Sequence, residues 1–411
     1  MESSVTMPKT RHVALLVETS KSYGRGLLQG IAQYVKEHEQ WSMFLEPRAL
    51  TTSPPSWLKS WRGDGILARI SDVDIAKVVF KTNLPAVNLS SAIPNLGFPC
   101  VETDPERLAS LAQAHLLERG LRHFGFFGDD TRFRNWSKRV RIPFLKMVRA
   151  AGHDCDVFVF PSRTRKPVSW EQEQKALENW VRRLPKAVGI LAVNDWRGQQ
   201  VLDACKRAGF VVPDQVAVIG MENDELVCDM ADPPLSSVTM SAEKAGYEAA
   251  ALLDKMMRSR KPWQVNPAIP KLLAIEPLGV ATRRSTDIQA HEDAVVSKAM
   301  RFIRENACHG IQVADAAKSA GVSRSTLDRR MLASIGRTPH DEIARVRLDC
   351  VVQLLTHTSL KTAAIAEKAG FEHVEYMGVV FRKTLGMTPG EYRKRAQARL
   401  SSDSKGRTLL G

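Results

Sequence analysis

The sequence predicts an α/β protein with parallel sheets, followed by an all-α domain built from two helix–turn–helix units. Three observations carry this. Short apolar segments alternate with amphipathic ones from residue 11 to about residue 280. The alternation stops at a polar stretch, ATRRSTDIQAHED, residues 281–293. Beyond it, residues 294–397 read as almost entirely helical, and the pattern repeats itself.

The strand candidates are 13–18, 42–46, 65–68, 86–89, 122–127, 155–160, 188–193 and 216–220. They are short, apolar and mostly continuous, the pattern of strands buried on both faces of a parallel sheet. Amphipathic helices fall between them at 105–119, 136–151, 168–183, 196–208 and 241–258. Asp104 before Pro105 reads as an N-cap and first helical residue, and Gly120 as the stop. Ser241 reads as a further N-cap, with Lys244 where a capping box needs an acid. Some 270 residues of alternating β and α elements exceed one core, so two parallel sheets are expected.

The first strand, VALLVE, is followed by SYGRGLLQGIAQYV (22–35), a layout shared with dinucleotide-binding turns. The spacing fits poorly. Gly24 and Gly26 match, but Gln29 stands where the third glycine belongs and Gly30 comes one residue late. Thr19 to Tyr23 separate strand from glycine, too far for a tight turn that presents N–H groups to a pyrophosphate. Glu46 is the candidate for the ribose-binding acid, a common residue type at that place. The chain has no Walker A loop, H-E-x-x-H or G-x-S-x-G elbow. No catalytic residue, cofactor or metal is therefore expected. An α/β sugar or nucleotide enzyme with a helical dimerisation tail remains the alternative reading.

Composition narrows the partners. The chain has 411 residues, 44% hydrophobic and 25% charged, normal for globular protein and long enough for two or three domains. Its net charge of +14 points to a polyanion or a membrane surface. No apolar run reaches membrane-spanning length, and MESSVTMPKTRH lacks a signal-peptide core. Six scattered cysteines without C-x-x-C spacing read as reduced thiols of a cytoplasmic protein. Residues 284–411 carry 21 Lys and Arg against 14 Asp and Glu, half the whole excess in under a third of the chain. The basic character thus concentrates in the helical part.

That part contains DAAKSAGVSRSTLDRRMLASIGRTP (315–339) and AIAEKAGFEHVEYMGVVFRKTLGMTP (364–389). Ala317 matches Ala366, Gly321 matches Gly370, Leu327 matches Tyr376, and after one inserted residue Met331, Ile335, Gly336, Thr338 and Pro339 match Phe381, Leu385, Gly386, Thr388 and Pro389. Each unit reads as two helices reversed at a left-handed glycine, with a small residue where they cross. Val322 and Phe371 plug the cores, and Ser323 caps the second helix of the first unit. A joining helix at about 339–355 spans roughly 25 Å, enough to place the two second helices in successive major grooves. Arg324, Ser325, Asp328 and Arg329 fall on the outward face, with Arg329 the candidate for a bidentate guanine contact. Arg330, Arg382, Lys383, Arg393 and Lys394 are phosphate-contact candidates. His373, Val374, Glu375 and Val379 begin the second reading helix, where valine would meet thymine methyl groups.

The C-terminal hundred residues, ending in VFRKTLGMTPGEYRKR, resemble the DNA-binding domain of AraC/XylS-type regulators. The stretches LLVETSKSYGRGLLQGIAQYV, WLKSWRGDGILA, VIGMENDELVCDMADPPLSSV and GYEAAALL extend the resemblance to a two-lobed sensor of the periplasmic-binding-protein or LacI/GalR type. The resemblance implies a sugar-responsive transcription regulator, an activator of carbohydrate catabolism genes. It implies xylose or a related sugar as effector, an operator DNA, a homodimer and RNA polymerase as partners, and no membrane. It divides the chain into a sensor at 11–283, a linker at 284–293, the DNA-binding domain at 294–397 and a tail at 398–411. Ligand contacts are then expected from loops after strands: Ser20, Tyr23 and Arg25, Asn88, Asp129, Trp136 and Arg139, Asn194, Asp195 and Trp196, and Glu222, Asn223 and Asp224. Polar groups of these types pair with vicinal hydroxyls, and an aromatic ring covers a sugar's apolar face. Asp195, in AVNDWRG, is the first choice, with an N-cap as its other reading. The loop GDDTRFRNWSKRVR and the NDW element depart from the xylose pattern and leave the sugar open among pentoses, hexoses and sugar acids. Arg132, Arg134 and Arg139 there fit a solvated basic rim as well as an acidic sugar.

Overall fold

A computed structural model describes residues 10–394 except 39–40, 48, 50–52, 94–95, 130–134, 160–168, 260–261, 263–270, 289–292 and 359. Arg132, Arg134, most of the expected linker's second half and the 398–411 tail lie outside the described residues.

The first compact unit ends at Ile288. Its strands are β1 (Arg11–Leu16), β2 (Trp41–Leu45), β3 (Gly65–Ala68), β4 (Ala86–Asn88), β5 (Cys100–Thr103) and β6 (His123–Gly128), then β7 (Cys155–Val159), β8 (Val188–Ala192), β9 (Val216–Glu222), β10 (Ser236–Thr239), β11 (Leu272–Ile275) and β12 (Gly279–Ala281). They form two six-stranded sheets of matching order, β11-β5-β4-β3-β1-β2 and β12-β10-β9-β8-β6-β7. All described pairings are parallel except β10 with β12. The eight expected strands are present. β5, β10, β11 and β12 are additional: three or four residues each, with Glu, Ser or Thr in two of them. β2 and β7 are exceptions to two-sided burial. Both are edge strands; Met43, Phe44 and Leu45 are exposed on β2, and no residue of β7 is fully buried.

The helices of this unit are α1 (Ser22–Glu37), α2 (Val73–Thr82), α3 (Pro105–Glu118), α4 (Asn135–Ala150), α5 (Trp170–Arg183), α6 (Asp195–Ala208), α7 (Glu225–Met230) and α8 (Ala242–Arg258). Asp104 caps α3 through Glu106 and Arg107 N–H groups, with Pro105 at the first turn. Ser241 does not cap α8; its hydroxyl donates to the Glu276 carbonyl instead. The chain crosses between the sheets after β5, β10 and β11. As a result α3 packs with α4 on the second sheet, and α8 packs with α1 on the first.

That exchange explains two glycines of α1, Gly26 and Gly30. A Cβ on Gly26 would lie 2.7 Å from the Ala242 Cβ, and one on Gly30 would lie 1.8 Å from the Glu243 carbonyl oxygen. Gly246 of α8 answers from the other side, where a Cβ would sit 2.0 Å from the Leu27 carbonyl oxygen. The glycines let two helix backbones touch; they do not cradle a phosphate. Glu46 likewise accepts from Trp57 Nε1 at 2.6 Å.

Residues 284–288, expected to begin the linker, belong to the sensing unit, where a 3-10 turn at Arg284–Thr286 packs against the second sheet. Ser285 and Thr286 are fully buried, and the Ser285 hydroxyl donates to the Val218 carbonyl at 2.6 Å. Their small polar side chains look like linker in composition but serve here as bolts under β9 and β10.

The second unit contains α9 (Ala294–Asn306), α10 (Val313–Ala320), α11 (Arg324–Ile335), α12 (Pro339–His357), α13 (Thr362–Lys368) and α14 (Val374–Leu385). It has two cores. One gathers Val296, Met300, Ala317, Leu327 and Met331; the other gathers Val351, Ile365, Ala366, Phe371, Met377 and Phe381. Gly321 and Gly370 reverse the two units at φ +74° and +75°. The recurring Thr-Pro has a local cause. Thr338 and Asp341 form a capping box at the start of α12, and Thr388 exchanges the same pair of bonds with Glu391.

Candidate effector cleft and nucleic-acid interface

In each sheet of the first unit the strand order reverses beside one strand: β1 lies between β2 and β3, and β6 between β7 and β8. Ligands of open α/β sheets settle at such points, beyond the carboxyl ends of the strands. Each of these points holds an ion pair. Glu18, just after β1, is buried and paired with Arg69, just after β3. Asp129, just after β6, is buried and takes two bonds from Arg197 of α6, at 2.7 and 2.9 Å. Glu18 Oε2 is buried with no hydrogen-bond partner among the described residues, a deficit that a polar ligand would fill.

Several expected residues gather there. Tyr23 is buried with the Arg69 guanidinium 4.8 Å from its ring centroid, and burial pushes its hydroxyl up to about 12. Glu222 ends β9 in the left-handed region at φ +100°, followed by Asn223 at +52°. Burial raises the Glu222 carboxyl, Lys21 and Arg69 pull it down, and Asp224 and Asp129 push it up again. Residues from both sheets therefore face one another across this cleft. Arg139 of α4 is spent on Glu102 of β5 at 2.5 Å, a bridge between the lobes.

Others serve the frame. Asn88 accepts from Ile70 N–H of the loop after β3 and from Ser90 N–H of its own loop, and so ties the two together. Asn194, not Asp195, caps α6, accepting from Arg197 N at 2.9 Å. Asp195 is fully buried. Its oxygens accept from Ser237 Oγ at 2.6 Å and Asp224 N at 2.7 Å, and burial pushes its carboxyl up to about 8. The first-choice hydroxyl ligand is thus turned inward to hold the loops after β9 and β10. Trp136 packs partly into the second core; Ser20 and Arg25 are exposed, and Arg25 donates to the Thr19 carbonyl. Trp196, about half exposed, stands at the start of α6. Sequence reasoning missed Glu18, Arg69, Glu102 and Arg197. Glu18 and Arg69 each close an apolar strand run, which is the signal that would have found them.

On the second unit, Leu327 and Met331 point inward, while Arg324, Ser325 and Arg329 are exposed on α11 and Asp328 is half-buried. Ser323 caps the helix through Thr326 N. Arg330 is paired with Asp293, the N-cap of α9, at 3.1 Å, and so braces the bundle as well as lying exposed. Arg382, Lys383 and Lys394 are exposed; Arg393 donates to the Leu360 carbonyl at 2.6 Å. On α14, His373 and Glu375 are exposed and Val379 is 65% exposed, but Val374 is half-buried against the second core. Of these two valines Val379, not Val374, is the one exposed on α14.

Residues 12–102 match the XylR N-terminal domain family, 113–286 the periplasmic binding protein-like domain, and 316–395 a helix-turn-helix domain. Over 396 residues the chain is 31% identical to the xylose operon regulatory protein of Escherichia coli, covering 94% of this chain and 97% of that one. The Haemophilus influenzae protein of the same name is 30% identical over 387 residues, 93% and 97% of the two chains. The chain belongs to the XylR family of AraC-type transcription regulators. A solved structure of a xylose-binding transcription activator XylR overlays on this family member with a TM-score of 0.75 at 30% identity, over 94% of this chain and 98% of that one. The transcriptional regulator CelR in complex with cellobiose, at 20% identity and a TM-score of 0.53 over 68% of this chain, shares the fold of the sensing unit. This XylR relative is a DNA-binding transcription regulator with a periplasmic-binding-type domain ahead of its helix–turn–helix domain. Among the described residues no helix is long and apolar enough to cross a membrane, and no cluster could hold a metal.

Proposed function

We propose that the protein is a cytoplasmic sugar-responsive activator, rather than an enzyme, whose effector is xylose or a closely related neutral sugar. The observation that carries this is the acidic, incompletely bonded cleft. Glu18, Glu102, Asp129 and Glu222 converge at the strand ends, and a carboxylate oxygen of Glu18 is left unpaired among the described residues. Carboxylates accept hydrogen bonds from hydroxyls, and Arg69, Arg139 and Arg197 are each already paired with one of them, so none of the three is a spare charge for an acidic sugar. Arg139, which composition offered to a sugar acid, is already neutralised by Glu102. The near full-length likeness to xylose regulators supports the same sugar. Tyr23 and Trp196 are the rings available to cover the apolar face, with Arg69, Asn223 and Glu222 as polar partners. On the second unit, Arg324, Arg329, His373 and Glu375 read bases, and Arg382, Lys383 and Lys394 meet phosphates. The working form is a homodimer that recruits RNA polymerase to its operator. Titration calorimetry with xylose, arabinose, glucose and xylonate tests the effector. Heat from xylose and none from xylonate is expected; binding of xylonate alone would overturn the neutral-sugar reading.

A further inference from the structure

Arg283 lies where the last strand of the sensing unit ends and the chain sets out towards the DNA-binding unit. Its guanidinium reaches back to the cleft loop. Nη1 donates to Asn223 Oδ1 at 2.8 Å and to the Leu235 carbonyl at 3.2 Å, while Nε donates to Asp229 Oδ1 at 2.9 Å. The side chain is only 14% exposed. One residue thus grips both ends of the segment that carries α7, Asn223 before it and Asp229 within its last turn.

The backbone of Arg283 is fixed as well. Its N–H donates to Ser236 Oγ at 2.8 Å, and that hydroxyl donates to the Arg283 carbonyl at 2.9 Å. The residues that follow continue the attachment. The Thr286 hydroxyl donates to Ser236 Oγ at 2.6 Å, the His115 ring meets the same hydroxyl at 2.8 Å, and Arg119 Nε donates to the Thr286 carbonyl at 2.7 Å. The exit segment is therefore bound to β9, β10 and α3 at once.

The other end of the grip is the strained one. Glu222 and Asn223 are non-glycine residues at positive φ, a conformation held only where the surroundings over-determine it. Asp195 supplies much of that hold, through Asp224 N and, by way of Ser237 Oγ, Asn223 N. Glu222 itself lies beside Lys21 and Arg69 of the first lobe.

We propose that Arg283 is the positioning residue that couples the effector cleft to the DNA-binding unit. It ties the 223–229 segment to the chain's exit, so a change in that segment on effector binding resets the residues leading to α9. The proposal rests on the sugar-effector reading for what moves the segment, but not for the tie itself. A guanidinium suits this task because its planar fork holds several fixed acceptors at once. Lysine, a point charge, holds fewer. Bonds that form or break together give two discrete arrangements rather than a graded one, and an effector shifts their populations only through such a difference.

Amide hydrogen exchange on the full-length protein tests the tie without any sugar. Asp229→Asn is expected to speed exchange of the Ser285, Thr286 and Asp287 amides several-fold in the wild-type background. In an Arg283→Met background the same change is expected to add nothing. Exchange at 285–287 that ignores Asp229→Asn, or responds equally in both backgrounds, would overturn the proposal. The second arm measures the ratio of DNA affinities with and without xylose, at a xylose concentration that saturates each variant. Arg283→Met is expected to bring that ratio close to one, and Arg283→Lys to restore part of it. An undiminished ratio in a folded Arg283→Met protein would also overturn the proposal. Wild-type protein that fails to bind xylose counts against the sugar, and the exchange arm still decides Arg283.

Discussion

Burial keeps the Asp195 carboxyl protonated to about pH 8, against an ordinary value of 3.8. The folded protein therefore holds a proton that the unfolded chain has released. The resulting stability is full below about pH 4 and is lost as the pH rises towards 8. Glu222 is shifted in the same direction by the same cause. Asp195→Asn, neutral throughout, is expected to flatten the decline in denaturation midpoint between about pH 5 and pH 8. An unchanged slope would place the titration elsewhere. At the DNA unit, Arg329→Ala is expected to weaken binding to a preferred duplex by about 1–3 kcal/mol while leaving random-sequence DNA bound as before. Competition binding with both duplexes separates these. The sequence singled out Asn194 and Asp195 because they stand where a strand gives way to a helix. It could not divide the roles: either side chain can cap, and the partners that turn Asp195 inward, Asp224 and Ser237, lie far along the chain.

At the scale of elements, α1 and α8 are joined through glycine, not through large side chains. Gly30→Ala would place a methyl group against the Glu243 carbonyl, inside van der Waals distance. Overpacking of this kind costs about 1–3 kcal/mol or more, read as a lower midpoint in urea denaturation. Ser323→Ala removes the cap of α11 and is expected to cost about 1 kcal/mol, again by denaturation, with a matching loss in DNA affinity if the first turn frays. The long-range partner is what the sequence hid in the first case. The spacing of Gly24, Gly26 and Gly30 suggested a ligand loop, while the helix that needs Gly26 and Gly30 lies more than two hundred residues on. The helix–turn–helix repeat was legible because its markers act locally: a left-handed glycine, a small residue at the crossing and a Thr-Pro helix start. β5 and β10 were not legible. Each is four residues long, with Glu, Ser or Thr among them, and gains strand geometry only from neighbours already in the sheet.

For the whole molecule, the two sheets share one strand order, and each places an acid–arginine pair where that order reverses. Cleft, α7 segment and exit strand form one bonded path within the sensing unit, and the basic helical unit follows in the same chain. The total charge of +14 gathers half its excess there, so DNA affinity should fall steeply with salt, with a log–log slope of about −0.9 per phosphate contacted. The measurement that bears most directly on this account is fluorescence anisotropy of the full-length protein on a duplex recovered by selection, with and without saturating xylose. A change in affinity of about 5- to 150-fold, the usual range for coupled sites, is predicted. Equal affinity in both conditions, with xylose shown to be bound, would contradict it.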